Sequence, residues 1–142
     1  MKIFLGCDHG GFALKDQLIQ SFPEHEFIDL GTSSEESVDY PDFANKVCQE
    51  VINDADAFGI LICGSGQGMA MRANKFPQIR AALCWNEEVA ELSRQHNKAN
   101  VLCLGARVIE ADLAIAITRK FLTTDFEGGR HQRRVDKLSA PN

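Results

Sequence analysis

A chain of 142 residues with 44% apolar and 25% charged side chains has material for one hydrophobic core and not two, which excludes a separate cofactor domain and sets 1–142 as a single domain. The longest apolar runs are about five residues, far below the ~20 that cross a bilayer. The opening MKIFLGCDHGG is too short and polar for a secretion signal, so a cytoplasmic protein with no membrane partner is expected. A net charge of −5 argues against a nucleic-acid partner, because phosphate backbones recruit basic surfaces. Five cysteines, odd in number and without paired spacing, read as thiols.

The first apolar run, Ile3-Phe4-Leu5, closes at Gly6 and gives way to a helical pattern from Phe12 to Phe22 with Leu14, Leu18 and Ile19 on one side. Pro23 stops that helix. Phe27 to Leu30 reads as a second strand, followed by a polar loop from Thr32 to Asp39. Pro41 suits the first turn of a helix presenting Phe43, Val47, Val51 and Ile52. Phe58 to Ile62 is an unbroken apolar run, the pattern of a strand buried on both faces. A helix from about Gly68 to Phe76, a strand Ala81–Cys84, a helix Glu87–Gln95 and a strand Val101–Leu104 follow. A long helix over 112–122 and a basic helical segment over 130–138 complete the chain. Strands alternating with helices predict an α/β fold of the doubly wound, Rossmann-like kind: a five-stranded parallel sheet with helices on both faces.

Ligands of such sheets bind beyond the carboxyl ends of the strands. The loops there hold Asp8-His9-Gly10-Gly11, Asp39-Tyr40, Cys63-Gly64-Ser65-Gly66-Gln67-Gly68 and Gly105-Ala106-Arg107. The glycines at alternate positions 64, 66 and 68 free successive amides to face an anion. A helix dipole there would favour a Cys63 thiolate if the sulfur faces the cleft; a tight turn around a small buried thiol fits the spacing equally well. The dinucleotide fingerprint needs glycine where Met69 stands, and the hydrolase elbow needs glycines at Cys63 and Gln67. Asp8 and His9 form an acid–base pair, or Asp8 simply caps the next helix. Arg130 and Arg134 lie four apart on one helical face and match the forks of a phosphate, although a solvated basic run is the commoner fate of such segments. His25 sits among charged residues and reads as solvent-facing. Cys48 and Cys103 fall on apolar faces, while Cys7 and Cys84 end strands and stay open. His96-Asn97 follows a helix and precedes the last strand, so it belongs to the rim opposite Cys63. It reads as a helix end, or as a catalytic pair that only a second subunit could deliver.

The blocks Gly6-Cys7-Asp8-His9, Asp39-Tyr40-Pro41, Cys63-Gly64-Ser65-Gly66, Ala73-Asn74-Lys75-Phe76, Ser93-Arg94-Gln95-His96-Asn97 and Glu127-Gly128-Gly129-Arg130-His131, in that order, resemble the ribose-5-phosphate isomerase B family of sugar-phosphate isomerases. The resemblance implies aldose–ketose isomerisation of ribose 5-phosphate through an enediolate, with no metal and no organic cofactor. It implies Cys63 as the base, amides near Ser65, Gly66 and Gly68 around the enediolate oxygen, and Asp8 moving hydroxyl protons. His96 from a partner subunit would open the sugar ring and Asn97 would orient it. Tyr40 and Gly64 would line the sugar site. Arg130 and Arg134 would grip the phosphate with His9 and with Arg107, the last expected from the partner. A homodimer sharing its sites, or a tetramer of such dimers, follows. Some members carry a glutamate base where this chain has Met69, which cannot abstract a proton. The alternatives are a hexose 6-phosphate isomerase for allose or galactose phosphates, a phosphosugar-binding regulator without catalysis, and, furthest off, a dehydrogenase.

Overall fold

The computed structural model describes residues 1–141. Five strands, β1 (Lys2–Cys7), β2 (Glu26–Asp29), β3 (Phe58–Cys63), β4 (Ala81–Leu83) and β5 (Val101–Gly105), form one sheet in the order β2-β1-β3-β5-β4. Every pairing is parallel. Six helices connect and flank them: α1 (Phe12–Ser21), α2 (Tyr40–Asn53), α3 (Gln67–Ala73), α4 (Glu87–Asn97), α5 (Ala111–Thr123) and α6 (Arg130–Ser139). The expected doubly wound parallel sheet is what the chain forms. Its element ends shift by one to three residues, and a 3-10 turn over His9–Gly11 leads into α1.

Alternate residues of the buried strands feed apolar layers on the two faces of the one sheet. Ile3, Leu5, Ile60, Ile62, Leu102 and Leu104 meet Leu14, Leu18, Ile117 and Phe121 on one face. Phe4, Leu61, Val101 and Cys103 meet Val47, Val51 and Met69 on the other. Period-two alternation on strands covered from both sides produces this division. Helix α2 lies close to the sheet because the Val47 methyls stand only 2.8 Å from where Cβ atoms at Gly6 and Gly59 would be. That approach fixes Tyr40 at the amino end of α2.

Local chemistry sets the helix ends. Asn86 accepts the Val89 N–H at 2.8 Å to open α4, and Lys98 closes it in the left-handed region at φ 50°. Lys15, a charged residue within α1, is 5% exposed. Its Nζ donates to the Thr32 carbonyl and pairs with Asp29 Oδ2, both at 2.9 Å, clamping the loop after β2 to α1. His25 also departs from expectation. Its imidazole packs toward Phe22 at 6.4 Å, and its Nδ1 is buried without a hydrogen-bond partner. The aromatic side chains on either side of the turn cover a group that its charged sequence neighbours place in water.

Candidate active site

The strand order reverses direction between β1 and β3, and the crevice beyond their carboxyl ends is where such sheets take ligands. Cys7 pairs with Ile62, and Cys63 pairs with Gly105, so three loops leave the sheet side by side. Backbone bonds stitch them together. Asp8 N–H donates to Ile62 O at 3.2 Å, Ala106 N–H to Cys63 O at 2.9 Å and Arg107 N–H to Gly64 O at 2.9 Å. The result is a cavity of about 490 Å³ lined by Asp8, Tyr40, Cys63, Gly64, Ser65, Gly68, Arg107 and Val108.

Cys63 is 5% exposed, yet it borders this cavity at the last position of β3. Its Sγ accepts the N–H of Gly66 at 3.2 Å. Gly66 sits at φ 79°, in the left-handed region glycine occupies without a Cβ penalty, and this turn aims its amide back at the sulfur. The cradle read from the glycines therefore changes character: the Gly66 amide serves the thiol, and the Gln67 amide donates to Ser65 Oγ at 3.3 Å. The other four thiols do not line this cavity. Burial pushes Cys7 and Cys84 up to about 11 and Cys48 up to about 12, and raises Cys103 as well. All four are at most 1% exposed, so burial resolves the open status of Cys7 and Cys84 in favour of the interior.

Around the sulfur, Asp8 is 6% exposed and its Oδ1 accepts the Gly10 N–H at 2.9 Å. The capping role foreseen as an alternative is thus real, and the same carboxyl also faces the cavity. His9 accepts the Val38 N–H at Nδ1, at 3.3 Å, which places the proton of the neutral ring on Nε2 and ties the polar loop after β2 to the site. Gly68 is required by Tyr40: a Cβ there would lie 2.5 Å from the Tyr40 Cζ and 2.8 Å from its hydroxyl. Arg107 is exposed, and its guanidinium borders Gly64 in the same chain.

His96 occupies the last turn of α4, close to where β3 and β5 begin, since Arg94 two residues earlier stacks over Phe58 at 4.5 Å. Arg94 also donates from Nε to Thr124 O at 3.1 Å and from a terminal nitrogen to Ala99 O, which pins the chain after α5 to the end of α4. Helix α6 packs there, with His131 and Val135 buried. Arg130 and Arg134 are exposed on α6, and Asn97 is exposed beside His96. One chain sets Arg107 next to Cys63 because it follows the neighbouring strand β5, and leaves Arg130 and Arg134 with His96 because α6 docks on α4. Sequence reading also missed Val108 in the cavity wall, and it missed that Glu127 and His131 gather against His96. The Glu127 to His131 spacing of four, around Gly128-Gly129, was the available signal.

These features define an α/β protein with a small cleft at its topological switch point into which a few polar side chains converge, and comparison with known proteins takes the matter further. The family model described as Ribose/Galactose Isomerase matches residues 3–138, and the chain belongs to that family. It is 47% identical over 141 residues to the ribose-5-phosphate isomerase B of Escherichia coli (strain K12), a match covering 98% of this chain and 95% of that one. Among solved structures, the ribose 5-phosphate isomerase of Thermotoga maritima superposes with a TM-score of 0.94 at 48% identity, covering 97% of both chains. The ribose-5-phosphate isomerase B of Clostridium thermocellum gives 0.95 at 48%, covering 98% of this chain and 95% of that one.

Proposed function

We propose that this chain is an isomerase that interconverts ribose 5-phosphate and ribulose 5-phosphate, with Cys63 as the base. The observation that carries the reading is the placement of the Cys63 sulfur in a cavity with Asp8, Tyr40 and Arg107, in a chain whose relatives are named ribose-5-phosphate isomerase B at 45–47% identity over nearly their whole length. A thiolate at Cys63 takes the proton from C2 of the open-chain aldose, leaving an enediolate. The resulting thiol returns the proton to C1, and the ketose forms with no net change of atoms. Amides of Ser65 and Gly68 and the Ser65 hydroxyl face the developing oxyanion, a contribution worth about 10²–10³ in rate for such donors. Asp8 exchanges protons with the sugar hydroxyls. Arg107 and the Nε2 proton of His9 meet the phosphate from this chain.

Ring opening needs a proton taken from the anomeric hydroxyl and one given to the ring oxygen. His96 is assigned that step, acting in the cleft of a second copy, with Asn97 orienting the sugar and Arg130 and Arg134 closing on the phosphate. A homodimer with shared sites follows from the separation of the two groups along the sheet. The whole chain acts as one domain, and its placement in the cytoplasm belongs to the same proposal; no helix among the described residues is long and apolar enough to cross a membrane.

Incubation with ribose 5-phosphate and detection of ketose tests the activity. Allose 6-phosphate and galactose 6-phosphate run alongside, and faster turnover of either would replace the pentose. Absence of turnover with retained phosphosugar binding would leave a binding protein. Sharing of sites is tested by refolding Cys63→Ala and His96→Ala chains together: about half the dimers are mixed and each has one intact site, so about a quarter of the activity should return. No recovery from chains shown to exchange would place the site within one chain.

A further inference from the structure

His96, Glu127 and His131 present three ligand atoms that all lie within 4.8 Å of one another. Glu127 Oε1 is 3.6 Å from His96 Nε2 and 3.5 Å from His131 Nε2. Three segments supply them: the last turn of α4, the loop before α6 and the first turn of α6. The scaffold is held by backbone bonds. Glu127 N–H donates to Gln95 O at 3.1 Å, and His131 N–H donates to Gly128 O at 3.1 Å across a turn in which Gly128 and Gly129 have φ 70° and 56°. The two rings stack with centroids 4.3 Å apart.

From this arrangement we infer that the cluster is a binding site for a zinc-like divalent transition metal, and that an ion there takes His96 out of the reaction. Bonds of about 2.0–2.1 Å to a tetrahedral ion set ligand atoms about 3.3–3.4 Å apart, close to the two spacings measured to Glu127. Two imidazoles and one carboxylate suit zinc, nickel or copper over magnesium or calcium, which prefer all-oxygen shells. Rotating the half-exposed His96 ring out of the stack turns its Nε2 lone pair toward the shared point, while His131, 8% exposed, is the fixed ligand. Three protein ligands leave a fourth position open, and the exposure of Glu127 provides a way in. Arg130 and Arg134 add positive potential alongside, so the ion is held loosely and exchanges. The consequence rests on His96 being the ring-opening group through Nε2: once on a metal, that nitrogen can neither accept nor donate a proton.

The test is calorimetric titration of zinc chloride into chelator-treated native protein, with turnover of ribose 5-phosphate followed in parallel. One zinc per chain is expected, with affinity at least about tenfold weaker in both Glu127→Gln and His131→Gln. Glu127 is exposed, so its variant reports even if replacing buried His131 harms folding. Turnover should fall as the site fills and return on adding chelator. No zinc binding overturns the site, and so does undiminished affinity in folded Glu127→Gln, which would point to the thiols instead. Zinc that binds at the cluster without slowing turnover overturns the inhibition. In that event His96→Ala, assayed without metal, separates the causes: full activity means that His96 has no part in ring opening, and lost activity means that the bound ion leaves His96 free.

Discussion

The two ends of the sheet are built differently. At the carboxyl end, Asp8, Cys63 and Arg107 sit on strand-end loops laced by backbone hydrogen bonds of 2.9–3.2 Å, and two of these three side chains are nearly buried. At the other end, Asn97, Arg130 and Arg134 are exposed on α4 and α6 beside the half-buried His96, held in place through Arg94 and the packing of α6 on α4. The first end ties its loops to neighbouring strands, the kind of anchoring that positioning for proton transfer to carbon requires. The second is free to meet another surface. On the proposed roles each end supplies half of a phosphosugar site, and two copies facing one another would complete both halves.

The sharpest way to break this comparison is Cys63→Ala. If the buried end carries the carbon chemistry, turnover drops by about 10²–10⁴, the usual worth of a positioned base, while KM changes little. Ketose formation measured against substrate concentration gives both constants, and near-normal turnover would remove Cys63 from its role. The exposed end should fail differently. If Arg134 grips the phosphate as proposed, Arg134→Ala loses charge-assisted hydrogen bonds worth about 1.5–3 kcal/mol, so KM rises about 10- to 150-fold with kcat reduced far less. A collapse of kcat at constant KM would move the arginine from the phosphate to the reacting carbons.

What could be read in advance divides along the same line. Strand-end residues were legible because topology fixes where loops emerge: Cys63 follows an unmistakable buried strand, and Asp8 and Arg107 follow the strands that pair with it. The parallel sheet itself was legible from apolar runs separated by helical periods. Contacts between elements distant in sequence were not. Nothing in the spacing says that Arg94 ties Thr124 to Ala99, that α6 brings His131 over His96, or that Arg107 rather than Arg130 shares a chain's own cleft. The turn at Gly66 misled in a subtler way, since alternating glycines suggest free amides while the fold spends one of them on the thiol.

A smaller effect sharpens the view of the rigid end. Gly68→Ala drives a methyl into the Tyr40 ring, whose Cζ would be 2.5 Å away. Either the ring swings out or α3 shifts, at a cost of about 1–3 kcal/mol typical of overpacking. Thermal melting and KM should both worsen, and Gly68→Ala combined with Tyr40→Ala should recover the stability without recovering the affinity. Recovery of both would show that Tyr40 only packs.

Lys15 tests whether the loop after β2 depends on a buried charge. Its ammonium is enclosed by Thr32 O, Asp29 Oδ2 and the Phe12 ring 4.7 Å away. Methionine at this position keeps the apolar stem but leaves the Thr32 carbonyl without its donor, while Asp29, 39% exposed, can rehydrate. Losing one partner of a buried hydrogen bond costs about 1–3 kcal/mol, and in a protein of this size each kcal/mol moves Tm by about 3 °C. Lys15→Met should therefore melt about 3–9 °C lower with turnover close to the parent below the transition, because the groups it anchors lie behind the cleft. A higher melting temperature would mean that desolvating the ammonium costs more than its partners return, as happens when some buried ion pairs are replaced by hydrocarbon. The clamp would then serve to set the position of the loop carrying Val38 and its bond to His9, and a KM raised in the more stable variant would identify that role.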